Sequence, residues 1–239
     1  MIKLNIGCNT NIFPFFGWMN YDICDLNPFF DNLRNVVNTD NCGEQLKKVI
    51  YYLKHGSLDF RVHDLRSGFP QHQDDSVDAI YLGQVIEHLN PIVEAPRLIK
   101  ECHRMLKPEG VVRITTPDLD ILINAYIKRQ MGPFSSEQPE SYADGFRYAD
   151  ADPSDQLSYL MYGASGVNST RNNYEGHMHL YTQKSMTTLL RRSGFQQPFF
   201  FYRSPSGGNV SDSISPVMED EVTDVGMTHS FISEAIKKS

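Results

Sequence analysis

Hydrophobic and polar positions along the chain alternate between two periods, and the alternation predicts a strand–helix succession. Residues 3–6 are a short apolar run that ends at Gly7 and passes into Cys8, Asn9 and Thr10. A buried strand reads this way when it closes in a tight turn over a ligand. Residues 18–23 predict a second short strand that ends at the acid Asp22, and residues 58–62 a third. Residues 77–82 predict a fourth strand, apolar except for Asp78, and residues 111–116 a β-branched fifth. Between them, residues 91–106 carry Leu98, Ile99, Cys102, Met105 and Leu106 on one helical face and stop at Lys107-Pro108-Glu109-Gly110. A further helix is expected from Pro117 to about Gln130. Such alternation predicts a parallel α/β sheet with helices on both faces.

Three stretches depart from that rhythm. Residues 27–58 look like an insertion, with helical spacing of Leu46, Val49, Ile50 and Leu53. Residues 132–176 are rich in Ser, Gly, Asp, Asn and Tyr and read as a long irregular covering over a site. Residues 203–226 read as a polar loop. A helix over 183–192 with Gly194 closing it, an aromatic strand over 195–202, and a final strand over 231–236, antiparallel at or near the edge, complete the expectation. The whole is expected to be one domain. It comprises a cofactor-binding core over 1–131, an acceptor-side lid over 132–180, and a C-terminal helix and strands over 181–239.

Composition narrows the function. The chain has 239 residues, 40% hydrophobic and 21% charged, which is globular usage. A net charge of −7 argues against general nucleic-acid binding. No apolar run approaches the roughly 20 residues of a membrane helix. The first residues lack a secretory leader pattern, and the few cysteines (Cys8, Cys24, Cys42, Cys102), with no C-x-x-C pair, fit a reducing, cytoplasmic setting. The absence of G-x-G-x-x-G after the first strand disfavours a nicotinamide-dependent oxidoreductase. Asp22 follows Gly7 by 15 residues, where an acid at the end of a second strand accepts from ribose hydroxyls.

Taken in order, several segments resemble the class I S-adenosylmethionine-dependent methyltransferases. They are Asn5-Ile6-Gly7-Cys8-Asn9, Gly17-Trp18-Met19-Asn20-Tyr21-Asp22, His63-Asp64-Leu65, and Asp75-Ser76-Val77-Asp78-Ala79-Ile80-Tyr81 leading to Glu87-His88-Leu89. Leu106-Lys107-Pro108-Glu109-Gly110 and Gly176-His177-Met178-His179-Leu180-Tyr181-Thr182 follow. The Gly-Trp-x-Asn-x-Asp segment is similar to that of a subgroup often linked to carbohydrate and glycan assembly. The resemblance implies a Rossmann-like, mostly parallel sheet with an antiparallel edge strand, and S-adenosyl-L-methionine as cofactor, leaving S-adenosyl-L-homocysteine. It places Ile6, Gly7, Cys8 and Asn9 at the methionine end, Asp22 on the ribose, Asp64 and Leu65 about the adenine, and Gly83, Gln84 and His88 toward the sulfonium. Asn9 stands where the family usually has a second glycine; asparagine tolerates the left-handed turn better than most residues.

The implied reaction is O-methylation of a sugar hydroxyl, with a histidine taking the proton: His177 first, His88 second. An unperturbed imidazole, with a pKa near ~6.5, suits that task. Tyr148, Arg171, Tyr174 and His179 would line the acceptor pocket, and a metal-free site is expected. The acceptor is a glycan or small molecule rather than nucleic acid. Two other readings remain: an N- or C-methyltransferase of small molecules, and a non-catalytic binding module that kept the fold.

Overall fold

The computed structural model describes residues 1–8, 13, 17–23, 44–55, 58–132, 134, 148–162, 176–202 and 229–238. Among them seven strands form one sheet: β1 (Lys3–Ile6), β2 (Trp18–Asp22), β3 (Asp59–Val62), β4 (Val77–Gly83), β5 (Leu106–Pro117), β6 (Phe199–Tyr202) and β7 (Ser230–Ile236). Their order is β3-β2-β1-β4-β5-β7-β6. The pairs from β3 to β5 are all parallel, while β7 runs antiparallel to both β5 and β6. This is a Rossmann-like, mostly parallel sheet with β7 and β6 antiparallel at one side, and β1 and β4 stand at its centre. The order reverses beside β1, and in open α/β sheets ligands gather at the carboxyl ends of the strands around such a switch point.

The helices are α1 (Glu44–His55), α2 (Glu94–Met105), α3 (Leu119–Ile127), α4 (Pro153–Tyr162) and α5 (Gln183–Arg192). One face of the sheet, carrying Leu4, Ile6, Ile80, Leu82, Val112, Ile114, Phe231 and Ala235, packs with Ala95, Leu98, Ile99, Cys102 and Met105 of α2 and Met186 and Leu190 of α5. The i, i+3, i+4 spacing on α2 is what turns one apolar stripe onto the strands. Burying each such side chain is worth about 1.5–3 kcal/mol. In α1, Val49, Ile50 and Leu53 are buried.

The opposite face holds a polar row. Register aligns Asn20, Asn5, Tyr81, Arg113 and Glu234 across five strands, and all five are buried. Asn5 Nδ2 donates to Asn20 Oδ1 at 2.9 Å, and Asn20 Nδ2 donates to the carbonyls of Phe13 and Asp59, both at 3.0 Å. Arg113 Nε donates to Glu234 Oε1 at 2.7 Å, and its Nη2 lies 2.6 Å from the same oxygen. Buried polar groups persist when paired in this way.

Three expectations shift. Helix α2 begins at Glu94, not at Pro91. Asn90 Oδ1 accepts the N–H groups of Ile92 and Val93, and Asn90 N donates to Glu94 Oε2, which holds residues 90–93 in a turn ahead of the helix. The stretch 132–176 is not wholly irregular, because α4 lies within it. Pro153 opens α4, and Asp152 Oδ1 accepts from Ser154 N at 2.9 Å. Strand β6 starts at Phe199 instead of Phe195, which makes only an isolated bridge to Lys237. The final strand is antiparallel and near the edge, as expected, one place in and covered by β6. Gly194 does follow α5, with φ +102.

Candidate functional site

The site is built from the chain segments that leave the carboxyl ends of β1, β2, β4 and β5. Strand β1 ends at Ile6, buried, and the chain turns at Gly7 with φ +67. The N–H groups of Gly7 and Cys8 both donate to the Tyr21 carbonyl, at 2.8 and 3.1 Å, which ties the turn to the end of β2. A Cβ at residue 7 would stand 2.5 Å from Val85 Cγ2. Gly7 is thus required twice, by its backbone angle and by the approach of the chain leaving β4. Cys8 is buried, and burial beside Asp22 pushes its thiol well above the usual range, so it is neutral and inert. Asp22 is buried at the end of β2, and its carbonyl accepts from His63 N at 2.7 Å. Replacing Gly7 by alanine is expected to weaken S-adenosylmethionine binding at least about tenfold, since the strain alone is of order 1–3 kcal/mol. Calorimetric titration of the variant against wild type checks this.

The adenine-side segment is already engaged. Asp64 caps the short turn Leu65–Ser67 and accepts from Arg66 N at 2.9 Å. The Arg66 guanidinium also grips both carboxylate oxygens, at 3.0–3.2 Å, and holds the Asp64 carboxyl below the usual range. Leu65 is partly buried against the core. On the other side, Gly83 and Gln84 are half-buried at the end of β4. Gln84 takes a left-handed φ of +56, its N–H donates to the Thr115 carbonyl at 2.9 Å, and its Nε2 donates to Ser230 Oγ at 3.2 Å.

Beyond Gln84, the short turn Ile86–His88 carries two titratable side chains, Glu87 and His88. Glu87 is fully buried, and Thr116 Oγ1 at the end of β5 donates to its Oε2 at 3.1 Å. Its Oε1 has no hydrogen-bond partner among the described residues. Burial pushes its carboxyl up to about 8. The Glu87 carbonyl accepts from Met178 N at 2.7 Å and from His179 N at 3.2 Å, so the segment after α4 is stitched to the turn after β4. The result brings His177 against His88, with ring centroids 4.9 Å apart.

His177 is not poised near an ordinary imidazole value. Burial, and then the neighbouring His88, push its ring down to about 4, while the carbonyls of Leu160 and Met161 pull it partly back by favouring a ring N–H. At neutral pH the ring is uncharged. Its Nδ1 is buried without a hydrogen-bond partner among the described residues. His179 does not join this pair. Its ring lies edge-on to Tyr181, with centroids 4.6 Å apart, and burial lowers its pKa. Tyr148 is buried in a satellite cluster with Leu122, Met131, Phe134, Leu160 and Leu180, beside the α4 segment that backs His177. Asn9, Arg171 and Tyr174 lie outside the described residues.

Glu87, Thr116 and Tyr181 were not among the expected site residues. Glu87 had a visible sign, an acid inside the apolar run Val85–Leu89, but its partner at residue 177 is far away in sequence. Tyr181 is buried beside Glu87, its hydroxyl without a hydrogen-bond partner among the described residues, and its pKa is raised first by burial and then by that carboxyl.

Comparison with known proteins adds the chemistry. Residues 23–114 match the family described as methyltransferase domain. The match spans 92 of the 239 residues. Curated protein sequences give no match. Solved structures similar to this chain include a SAM-dependent methyltransferase from Archaeoglobus fulgidus, 13% identical, covering 98% of this chain and 85% of its own, with a TM-score of 0.47. A protein from Pyrococcus horikoshii OT3 is 16% identical over 99% of this chain and 81% of its own, with a TM-score of 0.49. An S-adenosylmethionine-dependent methyltransferase from Mesorhizobium loti is 16% identical over 99% and 90%, with a TM-score of 0.47. Among the described residues no helix is long and apolar enough to cross a membrane.

Proposed function

We propose that the chain is an S-adenosylmethionine-dependent O-methyltransferase acting on a sugar hydroxyl of a glycan or nucleotide-sugar, with His177 as the general base. The observation that carries the reading is the His88–His177 pair beside Glu87, with Glu87 and His88 on the turn after β4 and His177 on the segment after α4. A sulfonium methyl needs little activation. What the protein supplies is alignment of the acceptor oxygen and removal of its proton. A neutral ring with a buried Nδ1 lone pair is the right form for that removal.

In this reading Ile6, Gly7, Cys8 and Asn9 hold the methionine end, Asp22 the ribose, and Asp64 and Leu65 the adenine. Gly83, Gln84 and His88 face the sulfonium. His179, Arg171, Tyr174 and the wall around Tyr148 form the acceptor pocket within a lid over 132–180. The choice of a sugar rests on the resemblance of the Gly-Trp-x-Asn-x-Asp segment to the carbohydrate-linked subgroup. A screen with a methyl-labelled donor tests it. Label is expected on hydroxylated sugar acceptors, as ethers stable to base. Transfer only to amines or activated carbons would replace the reading with an N- or C-methyltransferase, and no binding of either S-adenosylmethionine or S-adenosylhomocysteine would leave a binding module that kept the fold.

A further inference from the structure

We propose that Glu87, His88 and His177 form a site for a divalent transition-metal ion, of which Zn²⁺ is the best fit. Each offers one ligand atom, and these atoms all lie within 4.8 Å of one another. Two imidazole nitrogens and one carboxylate oxygen are the donor set of many catalytic zinc centres, with a fourth position left open. The nitrogen donors select zinc-like ions over Mg²⁺ or Ca²⁺, which favour oxygen. Ligand atoms at about 2.0–2.2 Å from one tetrahedral ion stand roughly 3.3–3.5 Å apart. Rotations that move the side-chain tips by about an ångström therefore close the site.

Two independent features point to an ion. Glu87 Oε1 is fully buried and His177 Nδ1 is buried, and neither has a hydrogen-bond partner among the described residues. Leaving such groups unsatisfied is costly, and an ion would satisfy both at once. The surroundings are also those of a ligand shell. Thr116 Oγ1 fixes the other carboxylate oxygen, and the carbonyls of Leu160 and Met161 favour a ring N–H on His177, leaving its remaining nitrogen as the donor. Ligating carboxylates and imidazoles are held in this way by a second set of hydrogen bonds.

The inference rests on the methyl-transfer reading and changes one role within it, making His177 a ligand of the ion in place of the general base. In the loaded site the open position takes the acceptor oxygen, which coordination makes more acidic. The hydroxyl proton leaves to water, the oxygen forms its bond to the methyl carbon, and the carbon–sulfur bond breaks with its electron pair going to sulfur. His177 then acts through the ion rather than as the base itself.

The test is zinc binding to the full chain after chelation and dialysis, by calorimetry with ZnCl₂, for wild type, His177→Ala, Glu87→Gln and His88→Ala. S-adenosylmethionine binding is measured on the same samples, and far-UV circular dichroism reports folding, because His88 is itself assigned to the cofactor. One zinc per chain is expected in wild type beyond any bound by the variants, with affinity at least about tenfold weaker in each variant that still folds. Equal zinc affinity in wild type and in the folded variants overturns the ion site while leaving the methyltransferase reading intact. Failure of wild type to bind S-adenosylmethionine sinks that reading instead.

Discussion

Replacing His177 by alanine lowers turnover about a hundredfold or more and leaves the affinity for S-adenosylmethionine within about twofold. Positioned proton removal contributes roughly 10²–10⁴ to rate, and the proposed reading gives that step to His177. The expected split arises because the residues assigned to the cofactor sit on the turns after β1, β2, β3 and β4, while His177 enters from the segment after α4. The pH dependence carries a second signature. A ring pushed down to about 4 is protonated only below that value, so kcat/KM loses activity as pH falls through about 4. Between pH 5.5 and 7.5 it shows no inflection from this group, unlike an unperturbed imidazole, which titrates near ~6.5. Steady-state rates across pH, with calorimetry of the variant, decide it. A His177→Ala enzyme at near wild-type turnover ends both the base role and the ion role of this residue.

Much of the frame was legible in the pattern of apolar residues. Strands β1, β2, β4 and β5 could be read because a parallel strand covered on both faces needs a short apolar run and a turn residue at its end. Gly7 could be read because the turn demands φ +67. Helix α4 was hidden by its polar, tyrosine-rich setting. It buries only Gln156 and Leu160 and so carries almost no periodic signal. The candidate site was half legible. The histidines stood out as residue types, but the pairing of His177 with His88, in place of His179, is set by two backbone hydrogen bonds from Met178 and His179 to the Glu87 carbonyl. No local spacing encodes that contact. The same is true of Asp64, whose partner Arg66 is near in sequence but engages it only because the turn Leu65–Ser67 folds back. The acidity of His177 and Glu87 follows from burial, a property of the assembled sheet.

Changing Arg113 to methionine is expected to destabilise the fold by about 3–5 kcal/mol, the usual cost of stranding one member of a buried ion pair. Arg113 on β5 stands directly opposite Glu234 on β7, and the side chains are 1% and 0% exposed. Removing the guanidinium leaves a carboxylate in a dry row with Tyr81 and Asn5. The double change Arg113→Met with Glu234→Leu removes both charges at similar volume, and it recovers more than half of the loss, because apolar replacements of such pairs are often neutral or better. Urea unfolding of the two variants and wild type measures the difference. The effect reaches the candidate site through β7, whose Ser230 holds Gln84 at the end of β4 and whose strand spaces β6 from β5. A loosened β5–β7 pair therefore weakens the wall beneath Thr116 and Glu87 as well as the sheet. The single variant is expected to lose activity at temperatures where wild type is fully folded, and the double variant to regain it. If the single change costs less than about 1 kcal/mol, the pair is exchangeable surface-like chemistry, and the polar row owes its persistence to something other than this ion pair.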